Sequence, residues 1–342
     1  MSAIGRAGRV AGLAGAVLGA AAVAGYGVTR AGARRIRAHV DDPDAERLLE
    51  EPVWVSRTIP SFDGGTINIV DREPDPDAER MPVTFVLSHG VVLSVRTWLR
   101  QLDALPAAGF RTIAFDHRGH GGSQLGTAGH SVANLAEDFR AVLEELDLHD
   151  AVLVGHSMGG IAVQSFVMAH PEIAKERAAG IVLLSSLAKT IGGSHAAQIN
   201  RFTERVIRRT PDTTRIWASP NFGLMLTRMG FGRDPKPSQV ELVRRMMAEC
   251  DWETRTAAPR SLIGFDLTEG LDRISLPTLI ICGTHDAITP VWESQAMQRA
   301  IPGARLELLD GGGHMLMLER TADVDRLLID FAREVASASD LH

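Results

Sequence analysis

From residue 83 onward, short apolar runs recur along the chain: Val83–Leu87, Thr112–Phe115, Ala151–Val154, Ile181–Leu184, Thr278–Ile281 and Leu306–Leu309. None alternates with polar positions, so each reads as a strand covered on both faces. Between them apolar residues return at helical spacing, near Arg96–Ala107, Val132–Leu146, Ile161–Ala169, Val291–Ala300 and Ala322–Val335. Strands and helices taking turns predict an α/β fold, a mostly parallel twisted sheet with helices on both faces. Upstream, Val53–Ile59 and Thr66–Val70 read as two more strands, joined by the turn Phe62-Asp63-Gly64-Gly65. Pro74–Arg80 is charged and loop-like.

The alternation breaks once. From Ser186 to Leu271, roughly 85 residues hold helical stretches (Ala196–Arg208, Gln239–Cys250) and no convincing strand, too long for a plain loop. This insertion reads as a helical cap. The expected organisation is an N-terminal segment and linker (1–51), a core (52–186 with 272–342) and a cap (187–271). Within the first part, Val10–Val28 is a run of 19 uncharged residues with arginines on either side. Nineteen residues at helical rise just cross a hydrocarbon core. A retained membrane anchor is the favoured reading, with the arginine excess after it placing the large domain on the cytoplasmic side. A signal cleaved near Ala22-Val23-Ala24 and a soluble extension are the alternatives. Asp41–Glu51, acidic and proline-bearing, reads as a linker.

Composition adds limits. With 342 residues, 45% of them hydrophobic and 23% charged, the chain can bury a large core. The net charge of −6 and the lack of a basic stripe with interleaved aromatics argue against a nucleic-acid partner. Two distant cysteines, Cys250 and Cys282, make no disulfide framework.

The densest chemical signal is Gly155-His156-Ser157-Met158-Gly159-Gly160, directly after an apolar strand and before an apolar helix. A serine on that sharp turn projects its hydroxyl above the sheet, and Gly155 and Gly159 remove side chains that would clash. Ser157 is therefore the candidate nucleophile. A serine hydroxyl needs a neighbouring base, and functional groups gather at the carboxyl ends of parallel strands. His314, in the loop Asp310-Gly311-Gly312-Gly313-His314, is the candidate base. Asp286, in Gly283-Thr284-His285-Asp286, is the candidate orienting acid. Asp310 and His285 are their rivals. A protonated His314 could not accept the serine proton, so activity is expected to fall with acidification. In Ser88-His89-Gly90-Val91-Val92, the N–H of Val91 is expected to pair with that of Met158 as an oxyanion hole, with His89 as a hydrogen-bonding residue beneath the loop. Asp116 and Arg118, in Asp116-His117-Arg118-Gly119-His120-Gly121-Gly122-Ser123, are expected to tie a turn together and not to bind metal.

Taken together, H-G, D-x-R-G-x-G-x-S, G-H-S-M-G-G and G-x-x-D…G-x-H resemble the α/β-hydrolase family from about Val53 to the C-terminus. The resemblance implies acyl transfer to water through an acyl-enzyme, without cofactor or metal. The expected substrate is a small-molecule or lipid-like ester, its acyl group lying among Trp217, Phe222, Leu224, Met225, Leu226, Met229 and Phe231 of the cap. Relatives that open epoxides or remove halides carry Asp where Ser157 stands. The same three groups would equally serve a thioesterase, carbon–carbon bond hydrolase, cofactor-free peroxidase or acyltransferase. A non-catalytic ligand-binding protein is the remaining alternative.

Overall fold

The computed structural model describes residues 29–190 and 214–339. Eight strands form one sheet in the order β1-β2-β4-β3-β5-β6-β7-β8. They are β1 (Ser56–Pro60), β2 (Thr66–Arg72), β3 (Thr84–Ser88), β4 (Arg111–Phe115), β5 (Ala151–His156), β6 (Ala178–Leu184), β7 (Thr278–Gly283) and β8 (Arg305–Leu309). The hairpin β1–β2 attaches antiparallel to β4, and the pairs from β4 through β8 are parallel. The expected α/β architecture is the observed one.

Burial explains why most of the apolar runs lack alternation; β8, at the sheet edge, is the exception, with Glu307 and Leu308 exposed where a strand covered on both faces was expected. Every residue of β5 and β7 is buried, because helices cover both faces. One apolar cluster joins Phe85, Val152, Leu279 and Phe331; the other joins Ile113, Phe139, Leu153 and Phe166. The helices are α1 (residues 29–37), α2 (Ala45–Leu49), α3 (Gln101–Ala107), α4 (Val132–Glu145), α5 (Met158–Ala169), α6 (Pro171–Arg177), α7 (Thr214–Ala218), α8 (Phe222–Arg228), α9 (Pro237–Glu249), α10 (Trp252–Ser261), α11 (Val291–Ala300), α12 (Leu316–Glu319) and α13 (Thr321–Ser339). The described part of the insertion after β6 is helical, α7 to α10. Its predicted helix Ala196–Arg208 lies outside the described residues.

Residues 41–51 are not a free linker. Asp41 Oδ1 accepts the N–H and hydroxyl of Ser238 on α9, at 3.0 and 2.7 Å. Asp42 Oδ2 accepts from Arg100 and from Gln239, each at 2.8 Å. Leu48 of α2 is fully buried in the core. Asp41, Asp42 and Asp44, which suggested solvent, are paired with cap and core donors. Ahead of them, α1 rests on the cap, with Gly32 against Met225 and Arg37 donating to Asn221 at 3.1 Å. Strand β1 also starts later than expected, since Val53 and Val55 are exposed and unpaired with the sheet. Among the described residues no helix is long and apolar enough to cross a membrane, and the anchor candidate Val10–Val28 lies outside them.

Candidate active site

Strand β5 delivers Ser157 into a strained turn, with φ 53° and ψ −114°. A side chain rarely adopts that geometry unless its surroundings impose it. Here they do. The Ser157 N–H continues the sheet by donating to Leu184 O at 3.0 Å, and its carbonyl accepts the Ser186 hydroxyl at 2.9 Å. A Cβ on Gly155 would lie 2.4 Å from the Gly159 backbone, and one on Gly159 would lie 2.3 Å from Ser88 O. Glycine is required at both places because α5 crosses β3 and β5 at backbone contact.

The loop after β3 supplies the facing wall. Val92 sits at φ 56°, and its N–H donates to His120 Nε2 at 3.2 Å. His120 Nδ1 in turn donates to Arg118 O at 2.9 Å, which leaves Nε2 as the acceptor. His89 donates from Nδ1 to Gly90 O at 2.7 Å and accepts the His117 N–H at Nε2, at 3.0 Å. Burial pushes His89 down to about 4 and His120 down to about 3, so both act as neutral rings that hold the loop. With the loop fixed in this way, no partner takes the N–H of Val91 among the described residues, nor that of Met158 at the start of α5. First-turn N–H groups of a helix lack intrahelical partners, and they point their positive end outward.

Beneath the loop, Asp116 accepts from Val95 N, Gly122 N and Asn68 Nδ2 at 2.8, 2.9 and 2.8 Å. Arg118 grips Asp138 through two bonds, at 2.6 and 2.8 Å, and reaches Asp63 at 3.1 Å. Asp116 thus ties the turn to β2 and to the loop after β3, and Arg118 ties it to α4 and to the β1–β2 turn.

His314 and Asp286 come from the ends of β8 and β7. The His314 ring donates from Nδ1 to Asp286 Oδ2 at 2.9 Å. Asp286 also accepts the N–H groups of Ile288 and Thr289, at 2.9 and 2.8 Å, and the Thr289 hydroxyl at 2.6 Å. Burial works to raise its pKa, but the His314 ring and the Thr289 bonds outweigh burial and hold it well below the usual carboxylate range. The rivals do not enter this arrangement: His285 is exposed, and Asp310 lies 81% exposed beside Arg233.

Ser157 and His314 share the wall of a cavity of about 450 Å³. No hydrogen bond engages the Ser157 hydroxyl among the described residues; in ligand-free enzymes such bonds are often long and tighten on binding. Val91, Leu93, Trp217, Leu226, Met229 and Ile288 line most of the rest. The cap residues expected there divide. Trp217, Leu226 and Met229 face the cavity, Leu224 and Phe231 pack into the core, Met225 meets Gly32, and Phe222 is largely exposed. Val243, Met247 and Ile288 join the lining without having been singled out.

Two contributors were not legible as such. His156, fully buried, donates from Nε2 to His314 O at 2.9 Å. Glu319 accepts the N–H groups of Gly313 and Met315, on either side of His314. The motif G-H-S-M-G-G contains the first, but its partner is a backbone carbonyl 158 positions away.

Residues 85–327 match the sequence profile of the Alpha/beta hydrolase family. The chain is 30% identical over 258 residues to a non-heme haloperoxidase of Rhodococcus erythropolis, covering 73% of this chain and 91% of that one. A thermophilic esterase from Thermogutta terrifontis superposes with a TM-score of 0.67 at 25% identity, over 82% of this chain and 99% of its own. An esterase from Exiguobacterium antarcticum superposes with a TM-score of 0.69 at 20% identity, over 82% and 100%.

Proposed function

The chain belongs to the alpha/beta hydrolase family, and from that premise we propose that it is a serine hydrolase that cleaves an apolar carboxylic ester through an acyl-enzyme. The observation that carries this reading is the cavity. A serine in a strained elbow and a histidine bonded to a buried carboxylate open onto one apolar space of about 450 Å³. An acyl chain gains from leaving water there, at roughly 25 cal/mol per Å² of apolar surface buried.

In this reading Ser157 Oγ attacks the ester carbonyl while His314 Nε2 takes its proton. The negative charge that develops on the carbonyl oxygen is received by the Val91 and Met158 N–H groups. His314 then returns the proton to the leaving alcohol. Water, deprotonated by the same ring, attacks the acyl-enzyme and releases the acid and free Ser157. Asp286 stabilises the imidazolium and fixes the tautomer that leaves Nε2 free to accept. A series of nitrophenyl esters tests the proposal. Turnover should rise with acyl length until the cavity is full and then fall; no turnover at any length counts against it.

The resemblance to a protein named as a haloperoxidase favours one variation. Hydrogen peroxide attacking the same acyl-enzyme in place of water would release a peracid and free Ser157, and the peracid oxidises halide. Bromide-dependent halogenation that needs both a carboxylic acid and peroxide, and that disappears in Ser157→Ala, is its signature.

A further inference from the structure

The loop that carries His314 is held from the cap as well as from the core. The His314 N–H donates to Gly230 O at 2.9 Å, and the Arg233 N–H donates to Gly311 O at 2.8 Å. The two segments lie at backbone contact: a Cβ on Gly232 would meet Gly311 O at 2.1 Å, and one on Gly313 would meet Gly232 N at 2.1 Å. One side chain closes this joint. Glu319, at the end of α12, receives the Gly232 N–H on Oε2 at 2.6 Å and the Met315 N–H on Oε1 at 3.0 Å. Both of its oxygens lie 3.2 Å from the Gly313 N–H. Its donors thus come from both neighbours of His314 and from the cap.

We propose that Glu319 is a positioning residue for the acyl-transfer reaction, a carboxylate that locks the cap strip Gly230–Arg233 to the histidine loop and so sets where the His314 ring stands. The inference rests on the Ser157–His314 reading above. Its physical basis is that a partly buried carboxylate is stable only with its oxygens matched by donors, and here every donor is a main-chain N–H that has no other partner among the described residues. Gly230 of the strip, with Thr227 and Met229 just before it in the chain, also walls the cavity. A ligand that presses on Met229 therefore presses on the carbonyl that holds His314. Cap and base form one unit.

The test compares full-length wild type with Glu319→Gln. Glutamine keeps the shape and one acceptor oxygen, but its NH₂ must confront one of the N–H donors. Fluorophosphonate labelling rates, and kcat and KM for one nitrophenyl ester, are measured well below the melting temperature and normalised to folded protein. A misplaced ring should slow labelling and kcat by about 10- to 100-fold, with KM within about twofold. Gly232→Ala, which drives the strip off the loop and pulls the Gly232 N–H away from an unaltered Glu319 side chain, should show the same split and carries the test if Glu319→Gln fails to fold. Labelling and kcat per folded molecule equal to wild type in either variant would overturn the inference. An unlabelled wild type would instead remove the serine-hydrolase reading beneath it.

Discussion

Asp286 keeps its charge at 5% exposure because every lone pair that matters has a donor: two backbone N–H groups, one hydroxyl and one imidazole. The arrangement dictates the His314 tautomer, since only Nδ1–H can serve the carboxylate. Asp286→Asn should therefore leave the fold and KM nearly intact and lower kcat by about 10⁴, because the amide favours the wrong tautomer. Steady-state kinetics on a nitrophenyl ester check this; a loss under tenfold would mean that another group orients the ring. Asp310 and His285, in the same two loops, could not substitute, because both face solvent. At this scale position was legible where residue type and strand end coincide: Ser157, Asp286 and His314 follow β5, β7 and β8, and the last two are hydrogen-bonded. The sequence was silent where a side chain acts on backbone. Nothing in the spacing of Glu319 announces that it will collect N–H groups from the histidine loop and the cap.

At the level of elements, the strand–turn–helix around Ser157 is a packing problem solved by glycine. The Cβ of Gly159→Ala would lie 2.3 Å from Ser88 O, a main-chain atom at the end of β3 that has no free rotor to turn aside. The β3 end must shift, and the Val91 N–H is carried three residues beyond it. We expect a destabilisation of about 1–3 kcal/mol, the usual scale of overpacking, together with a loss of kcat larger than the loss of folded protein. Thermal melts and kinetics on one sample separate the two effects. The central strands were readable because fully buried strands leave unbroken apolar runs. The cap was readable only in outline. Periodicity marked α9, but it could not say that Leu224 would face the core while Leu226 faces the cavity, since that depends on where α8 docks. For the same reason residues 41–51 looked like linker: their carboxylates find partners in Ser238, Arg100 and Gln239, which lie far along the chain.

For the whole molecule, five imidazoles make stability fall with acidification, opposed by Asp325, whose carboxyl burial pushes up to about 6. His89, His117, His120, His130 and His156 are all held below the ordinary imidazole value of 6.5, chiefly by burial. Below 6.5 the unfolded chain takes up protons that the folded chain refuses until about 4 at His89 and His130 and about 3 at His120. Their contribution is therefore intact above 6.5 and is lost progressively as pH falls beneath it. Asp286, whose pKa is lowered in the fold, adds a loss in the same direction once the pH passes below the ordinary value of 3.8. Net-charge repulsion alone would place the optimum near the isoelectric point of about 6.1. The histidines should move it higher, so melting temperatures are expected to fall steadily from pH 7 to pH 4.5. A maximum near pH 6 would show that the rings are solvated and can be charged without cost. The account as a whole turns on one oxygen atom. Treating the full-length protein with a fluorophosphonate, digesting it and mapping the adduct by mass spectrometry should find a single modification on Ser157, absent from Ser157→Ala. An adduct on another serine, or undiminished labelling of the alanine variant, would contradict the account.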